Sequence, residues 1–368
     1  MVPATERAAT VSSTITSLLL ALLLALGLIL PHPEIALAAL PPGNAITDPG
    51  AILRDALPEH QADLQSLQHR LEGSNDDLRA RRWSSIQANC ERSRKQLQQR
   101  QGQIIASLPK DRGAEGQKLL EQLDQQLEQL CNASAAQDRD AFLSLRSQAL
   151  NSIGAAETLV VGGFPFNIPA EFNDLPRLLG RATVAFHTNK GDLTATVDGF
   201  NAPLTAGAFV DLVQKGFYNG LPFTRAEDFY VLQTGDPKGP AEGYVDPQSK
   251  TERRVPLEIM VPGADGPLYN QTFEDVGMFK TTPTLPFATL GTLGWAHSDE
   301  ALNDGSSQFF FFLYEAELTP AGLNLVDGRY AAFGYVVDGF DVLEQLGVDD
   351  RIESVKVISG AEFLQAHG

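Results

Sequence analysis

Apolar and polar positions follow one period in the first half of the chain and another in the second. Leu57, Leu64, Leu67, Leu71 and Leu78 recur at steps of seven, three, four and seven residues, as one face of a helix requires. Gly73 to Asp76 interrupts that pattern. A second segment, Asp77 to Leu108, carries Trp83, Ile86, Cys90, Leu97, Ile104 and Leu108, and Pro109 and Gly113 break it. A third holds Leu119, Leu120, Leu123, Leu127 and Leu130. A fourth holds Phe142, Leu145, Ala149 and Ile153. Four amphipathic helices joined by short breaks predict an all-α, up-and-down four-helix bundle over about residues 50–155.

Residues 156–180 read as a linker, with Gly162-Gly163, Pro165, Pro169 and Pro176. From Arg181 the period becomes two. Val184, Phe186 and Thr188 alternate, Asn189 to Asp192 make a turn, and Leu193, Ala195 and Val197 alternate again, which predicts a hairpin. Thr205 then caps a short helix carrying Phe209, Leu212 and Val213, closed by Gly216. Strand-like runs follow at 229–233, 291–296, 308–313 and 330–336. A helix at 340–346 precedes a last strand at 352–358. Many short strands with few helices imply a closed or nearly closed barrel.

Composition adds a compartment and an exclusion. An apolar stretch from Ile15 to Leu30, then Pro31, Pro33 and the small-x-small triplet Ala36-Leu37-Ala38, reads as a signal peptide over residues 1–38; an uncleaved anchor is the alternative. The net charge of −18 is uneven: from Glu157 onward there are 29 acidic and 13 basic residues. Such a surface repels phosphates, so no nucleic-acid partner is expected. Arg79, Arg81, Arg82, Arg92, Arg94, Lys95 and Arg100 give the second helix a basic face. That face is either solvated or docked, on an acidic partner or on the acidic half; the latter would bring the helical and β halves into contact. Cys90 and Cys131 are either bonded across two helices or simply buried, and no histidine near them suggests a metal.

The β half carries four blocks that resemble the cyclophilins. Lys215-Gly-Phe-Tyr-Asn-Gly-Leu-Pro-Phe-Thr-Arg225 is similar to the segment ending in Phe-His-Arg. Gln233-Thr-Gly-Asp236 is similar to Gln-Gly-Gly-Asp. Asp304-Gly-Ser-Ser-Gln-Phe-Phe-Phe-Phe312 and Asp327-Gly-Arg-Tyr-Ala-Ala-Phe-Gly334 complete the series in the family's order. The resemblance covers about residues 181–360 and implies a cyclophilin-like β-barrel with flanking helices and a peptidyl-prolyl cis-trans isomerase acting on proline-containing protein segments. A prolyl bond has a rotation barrier of about 18–20 kcal/mol but nearly balanced ends. Catalysis therefore needs a grip on the ring and a donor for the prolyl nitrogen as it loses conjugation. That chemistry uses no metal and no cofactor.

The resemblance places Arg225 in the donor role and Gln233 on the substrate backbone, with Gln308 beside them. It makes Tyr230, Val231, Ala296, His297, Phe310, Leu325, Val326 and Tyr330 the wall of the proline pocket. Departures fall at Thr224, Tyr230, Val231, His297, Leu325 and Tyr330, where the family has histidine, phenylalanine, methionine, asparagine, tryptophan and histidine. They leave a second reading open, an assembly chaperone or scaffold that is catalytically weak or inactive. Eight prolines stud residues 236–291, a segment longer than in minimal cyclophilins, as a lid, a partner contact or a passive insertion. The layout as a whole resembles the multidomain cyclophilins of the thylakoid lumen and their cyanobacterial relatives. In that family the helical half is PsbQ-like and the protein assists photosystem II assembly. This implies photosystem II subunits as partners and an exported chain, in the thylakoid lumen or periplasm.

Overall fold

The computed structural model describes residues 46–314 and 326–366 of the chain. The proposed signal peptide and Leu325 lie outside the described residues. The chain enters through α1 (Pro49–Asp55), opened by Pro49 and by the Asp48 carboxylate, which accepts the Ala51 N–H at 2.6 Å. There follow α2 (Ala62–Glu72), α3 (Ser74–Arg79), α4 (Trp83–Ser107), α5 (Gly113–Ala135) and α6 (Arg139–Val160). The leucine stripes of α2, α4 and α5 meet Phe142, Ala149 and Ile153 of α6 in one core, so these four helices are the predicted bundle. Cys90 and Cys131 are bonded, Cα atoms 5.5 Å apart, and tie α4 to α5.

Three details differ from the periodicity. The second helix starts at Trp83, not Asp77. Arg81 takes a φ of 52°, outside the helical range, and the Asp77 carboxylate accepts the Arg82 Nε–H and the Ser85 hydroxyl, both at 2.7 Å. Leu57 leaves the bundle stripe and packs with Val161 and Phe200. The basic run is answered largely inside the bundle: Arg94 meets Asp124 at 3.2 Å and Glu128 at 3.0 Å, and Arg100 meets Asp63 at 3.8 Å. The two halves do touch, but through α1 and the residues just after it, with Val161, rather than through the basic face. There the Leu53 carbonyl accepts from Arg181 Nη2 at 2.5 Å and the Ala56 carbonyl from Asn201 Nδ2 at 2.9 Å.

The second half is one eight-stranded antiparallel sheet. Its members are β2 (Arg181–Thr188), β3 (Gly191–Asp198), β4 (Phe223–Glu227), β5 (Val231–Thr234), β8 (Thr292–Trp295), β9 (Phe309–Phe312), β10 (Ala331–Asp338) and β11 (Ile352–Ser359). Their order is β11-β2-β3-β10-β8-β9-β5-β4. Two short pairs complete the strands: β1 (Arg177–Leu178) with β12 (Leu364–Gln365), and β6 (Glu258–Ile259) with β7 (Leu268–Tyr269). The sheet curls until its ends meet: Ile352 N–H donates to Leu221 O at 3.0 Å and Phe223 N–H to Asp350 O at 2.8 Å, closing the barrel. α7 (Pro203–Gln214) covers one side of the core with Phe209 and Leu212. Thr205 is not its cap. The buried Glu258 carboxylate, from the proline-rich segment, accepts the N–H groups of Leu204 and Thr205 and the Thr205 hydroxyl at 3.0–3.3 Å.

β9 shows why a strand can be four phenylalanines. Phe309 and Phe311 point into the main core, whereas Phe310 and Phe312 belong to a second apolar layer outside the barrel. That layer is built by Ile52, Leu53 and Ala56 around α1, by Leu285 and Phe287 of the proline-rich segment, and by Val231, Val326, Ala332 and Tyr335. Both faces being covered, the alternation disappears. The segment from 236 to 291 is therefore structural: Leu257, Ile259 and Phe273 join the inner core, and Leu285 and Phe287 the outer layer.

Candidate active site

The site begins with strand register. Arg225 of β4 pairs with Gln233 of β5, Gln233 with Phe310 of β9, and Phe310 with Gly294 of β8. Residues on one rung share a face, so a cation, an amide and an aromatic ring stand side by side on the outside of the barrel. Gly294 is needed there, because a Cβ at that position would fall on the Phe310 ring. Behind it, Phe287 stacks on Phe310 at 5.8 Å and 15° between planes, and Tyr330 meets it edge-on at 5.6 Å.

Above this row lies a cleft of about 220 Å³, lined by Arg225, Tyr230, Val231, Gln233, Ala296, His297, Ser298, Asp299, Phe310 and Tyr330. The floor is apolar, with Val231 and Phe310 buried. Arg225 is half exposed, its guanidinium 5.9 Å from the centre of the Tyr230 ring. Its hydrogen-bond partner is Glu227, two residues along the same strand face, at 2.7 Å from Nε and 2.6 Å from Nη2. Gln233 instead donates Nε2–H to Gln308 Oε1 at 2.8 Å, and Gln308 donates to Glu242 O at 2.8 Å, so the two amides are fixed as a chain.

The opposite wall is set by Asp304. Burial pushes its carboxyl up, but the Ser298 amide at 2.9 Å and hydroxyl at 2.5 Å outweigh it and hold the carboxyl below its usual range. This folds residues 296–304 back and presents His297, Ser298 and Asp299 to the cleft. His297 stacks on Tyr330, ring centres 4.7 Å apart. Its Nδ1 faces Ser298 O at 2.7 Å and its Nε2 faces Arg329 O at 3.0 Å. Both acceptors are carbonyls, so a ring N–H on either side donates to backbone and fixes the ring's orientation. Burial raises the Tyr330 phenol above its ordinary range, which keeps it a neutral donor. Asp327 lies half-buried one step behind. Burial lifts its carboxyl to about 7 against the pull of the Phe287 N–H at 2.7 Å.

Of the residues singled out in the sequence, Arg225, Gln233, Tyr230, Val231, Ala296, His297, Phe310 and Tyr330 line this one cleft. Gln308 stands behind Gln233, and Val326 is buried in the outer apolar layer with Phe310. Sequence reasoning missed Ser298, Asp299 and Glu227. For Glu227 a signal existed: position i+2 from Arg225 on a strand puts the two side chains on one face.

Residues 183–361 match the family model for cyclophilin-type peptidyl-prolyl cis-trans isomerases. Residues 48–161 match the PsbQ-like domain of CYP38-like peptidyl-prolyl cis-trans isomerases. The chain is 50% identical over 328 residues to a putative thylakoid lumen peptidyl-prolyl cis-trans isomerase, sll0408, of Synechocystis sp.; the match spans 89% of this chain and 86% of that one. It is 39% identical over 333 residues to the chloroplastic peptidyl-prolyl cis-trans isomerase CYP38 of Arabidopsis thaliana, across 88% of this chain and 76% of the relative. A third relative, chloroplastic CYP37 of the same plant, is 29% identical over 339 residues, covering 85% and 69%.

Proposed function

The chain belongs to the cyclophilin-type peptidyl-prolyl cis-trans isomerases that carry a PsbQ-like helical domain, and from that premise we propose that the outer-face cleft isomerises proline-containing segments of exported, lumenal proteins during photosystem II assembly. In this reading the proline ring rests on Phe310 and Val231, with Val326 behind them and Tyr230, Ala296, His297 and Tyr330 around it. Gln233 and Gln308, locked to each other, hold the substrate backbone. A guanidinium N–H of Arg225 donates to the prolyl nitrogen. That nitrogen accepts only once the amide twists and loses conjugation, so the bond favours the twisted state over either planar one.

The single observation that carries this is the rung Arg225–Gln233–Phe310, which sets the donor, the amide and the ring platform in adjacent strands. Replacing Arg225 by Ala in the chain is expected to lower kcat/KM on an Xaa-Pro peptide by about 10²-fold or more, with unchanged far-UV circular dichroism. A variant within twofold of the parent rate would refute the assignment. The names of the Synechocystis and Arabidopsis relatives support the lumenal location, and the Cys90–Cys131 bond fits an oxidising compartment. A photo-crosslinker placed beside the cleft is expected to recover photosystem II subunits; recovery of unrelated proteins alone would remove that assignment.

A second reading, an assembly scaffold with slow turnover, is favoured by the ion pair that engages two Arg225 N–H groups with Glu227. Its signature is peptide affinity equal in the parent and in Arg225→Ala, with little turnover in either.

A further inference from the structure

The β4–β5 hairpin turns through Asp228, Phe229 and Tyr230, between the paired residues Glu227 and Val231. The Tyr230 N–H donates to the Glu227 carbonyl at 3.0 Å, so residues 227–230 form a β-turn with Phe229 in its third position. Phe229 has a φ of 61°, and Asp228 is not among the positive-φ residues. This is the type II pattern, whose third position calls for glycine or asparagine. A bulky aromatic there is a genuine backbone outlier, and strain of that kind persists where something other than local stability retains it.

Packing does not retain it. Phe229 is 60% exposed. Among the described residues no aromatic pair or cation contact involves its ring, although the next residue, Tyr230, meets Phe312 edge-on and lies under the Arg225 guanidinium. The turn thus holds a large apolar ring in solvent, one residue from the cleft wall that Tyr230 and Arg225 form.

We propose that Phe229 is a specificity-determining residue of the cleft: its ring packs against a large apolar side chain next to the proline of the bound segment. The proposal rests on the isomerase reading above and names its preferred substrates, prolines flanked by leucine- or phenylalanine-sized residues. The carboxylates of Glu227 and Asp228, on the same turn, disfavour an acidic residue at that place.

The test compares four-residue peptides carrying Leu, Phe, Ala or Glu on either side of the proline, with the chain and with Phe229→Asn and Phe229→Tyr. Asparagine accepts a positive φ, so Phe229→Asn is expected to raise the thermal midpoint by about 2–4 °C while losing the ring. KM for the Leu and Phe peptides is expected to rise about five- to tenfold with kcat unchanged, and the preference over Ala to vanish. Phe229→Tyr is expected to keep the preference. An unchanged ratio of Leu to Ala peptides in Phe229→Asn overturns the proposal, whatever the stability does. Should the chain turn over none of the peptides, the isomerase reading fails by itself, and the same ratio is then read from peptide affinity by calorimetry.

Discussion

At the residue scale the site depends on small features beside conspicuous ones. Phe310 is buried under the cleft only because Gly294, its partner on β8, presents no Cβ. Gly294→Ala is expected to cost about 1–3 kcal/mol by overpacking and to displace the ring. Urea denaturation should show the loss, and peptide KM should rise with it; a variant with parental stability and parental KM would show that the ring moves freely. The aromatic and polar site residues were legible because their side chains advertise chemistry within recognisable blocks. Gly294 was not, since a glycine declares its role only through what approaches it. Ser298 and Asp299 were not legible either: what brings them to the cleft is the Asp304 carboxylate, a hydrogen-bond pattern that periodicity does not carry.

At the element scale, helices and strands with one solvent face were readable from their period. The elements that resisted have their reason in tertiary structure. α1 was merged into the bundle because seven residues carry too little pattern to be separated. The α7 start was assigned to Thr205, whereas its free N–H groups are satisfied by Glu258, more than fifty residues away. Glu258→Ala leaves those donors buried without an acceptor and is expected to destabilise the barrel by about 2–4 kcal/mol, measured as a shift in the urea midpoint. A change under 0.5 kcal/mol would mean that water replaces the carboxylate. In the bundle, the Cys90–Cys131 bond closes a loop with a sequence separation of 41 residues. Replacing both cysteines by Ala is expected to cost about 3–4 kcal/mol, chiefly by freeing the unfolded chain. Thermal melting of the double variant checks this, and a loss below 1 kcal/mol would contradict it.

At the scale of the whole molecule, two buried carboxyls and one half-buried carboxyl set a pH dependence. Burial lifts Glu157 to about 8, and Glu258 and Asp327 each to about 7. Unfolded, such groups titrate near ~4. Between those values the native chain keeps protons that the unfolded chain has released, so stability falls as pH rises from about 4 through 8. In stronger acid the trend reverses. Hydrogen bonds hold Asp77, Asp246, Asp275 and Asp350 below their usual range, and what they contribute is lost as pH falls through it. The urea midpoint is therefore expected to be higher at pH 5 than at pH 8, and Glu157→Gln to flatten the slope, because both carboxylate oxygens of Glu157 are buried without a hydrogen-bond partner among the described residues. A midpoint that climbs from pH 5 to pH 8 would reverse the sign of this account.

The seat of α1 on the outer barrel layer also has a consequence in time. Leu53 meets Arg181 across 128 residues of sequence and Ala56 meets Asn201 across 145, while Tyr335 of the same apolar layer is made later still. At roughly 5–20 residues per second of synthesis, Ile52 and Leu53 are born tens of seconds before the surface that covers them. The bundle core can close as soon as α6 is complete, but α1 waits with its apolar side uncovered until β10 arrives. Among the described residues α1 is thus the first helix made and one of the last to find its place, and the growing chain leaves that apolar side uncovered until its final hundred residues appear.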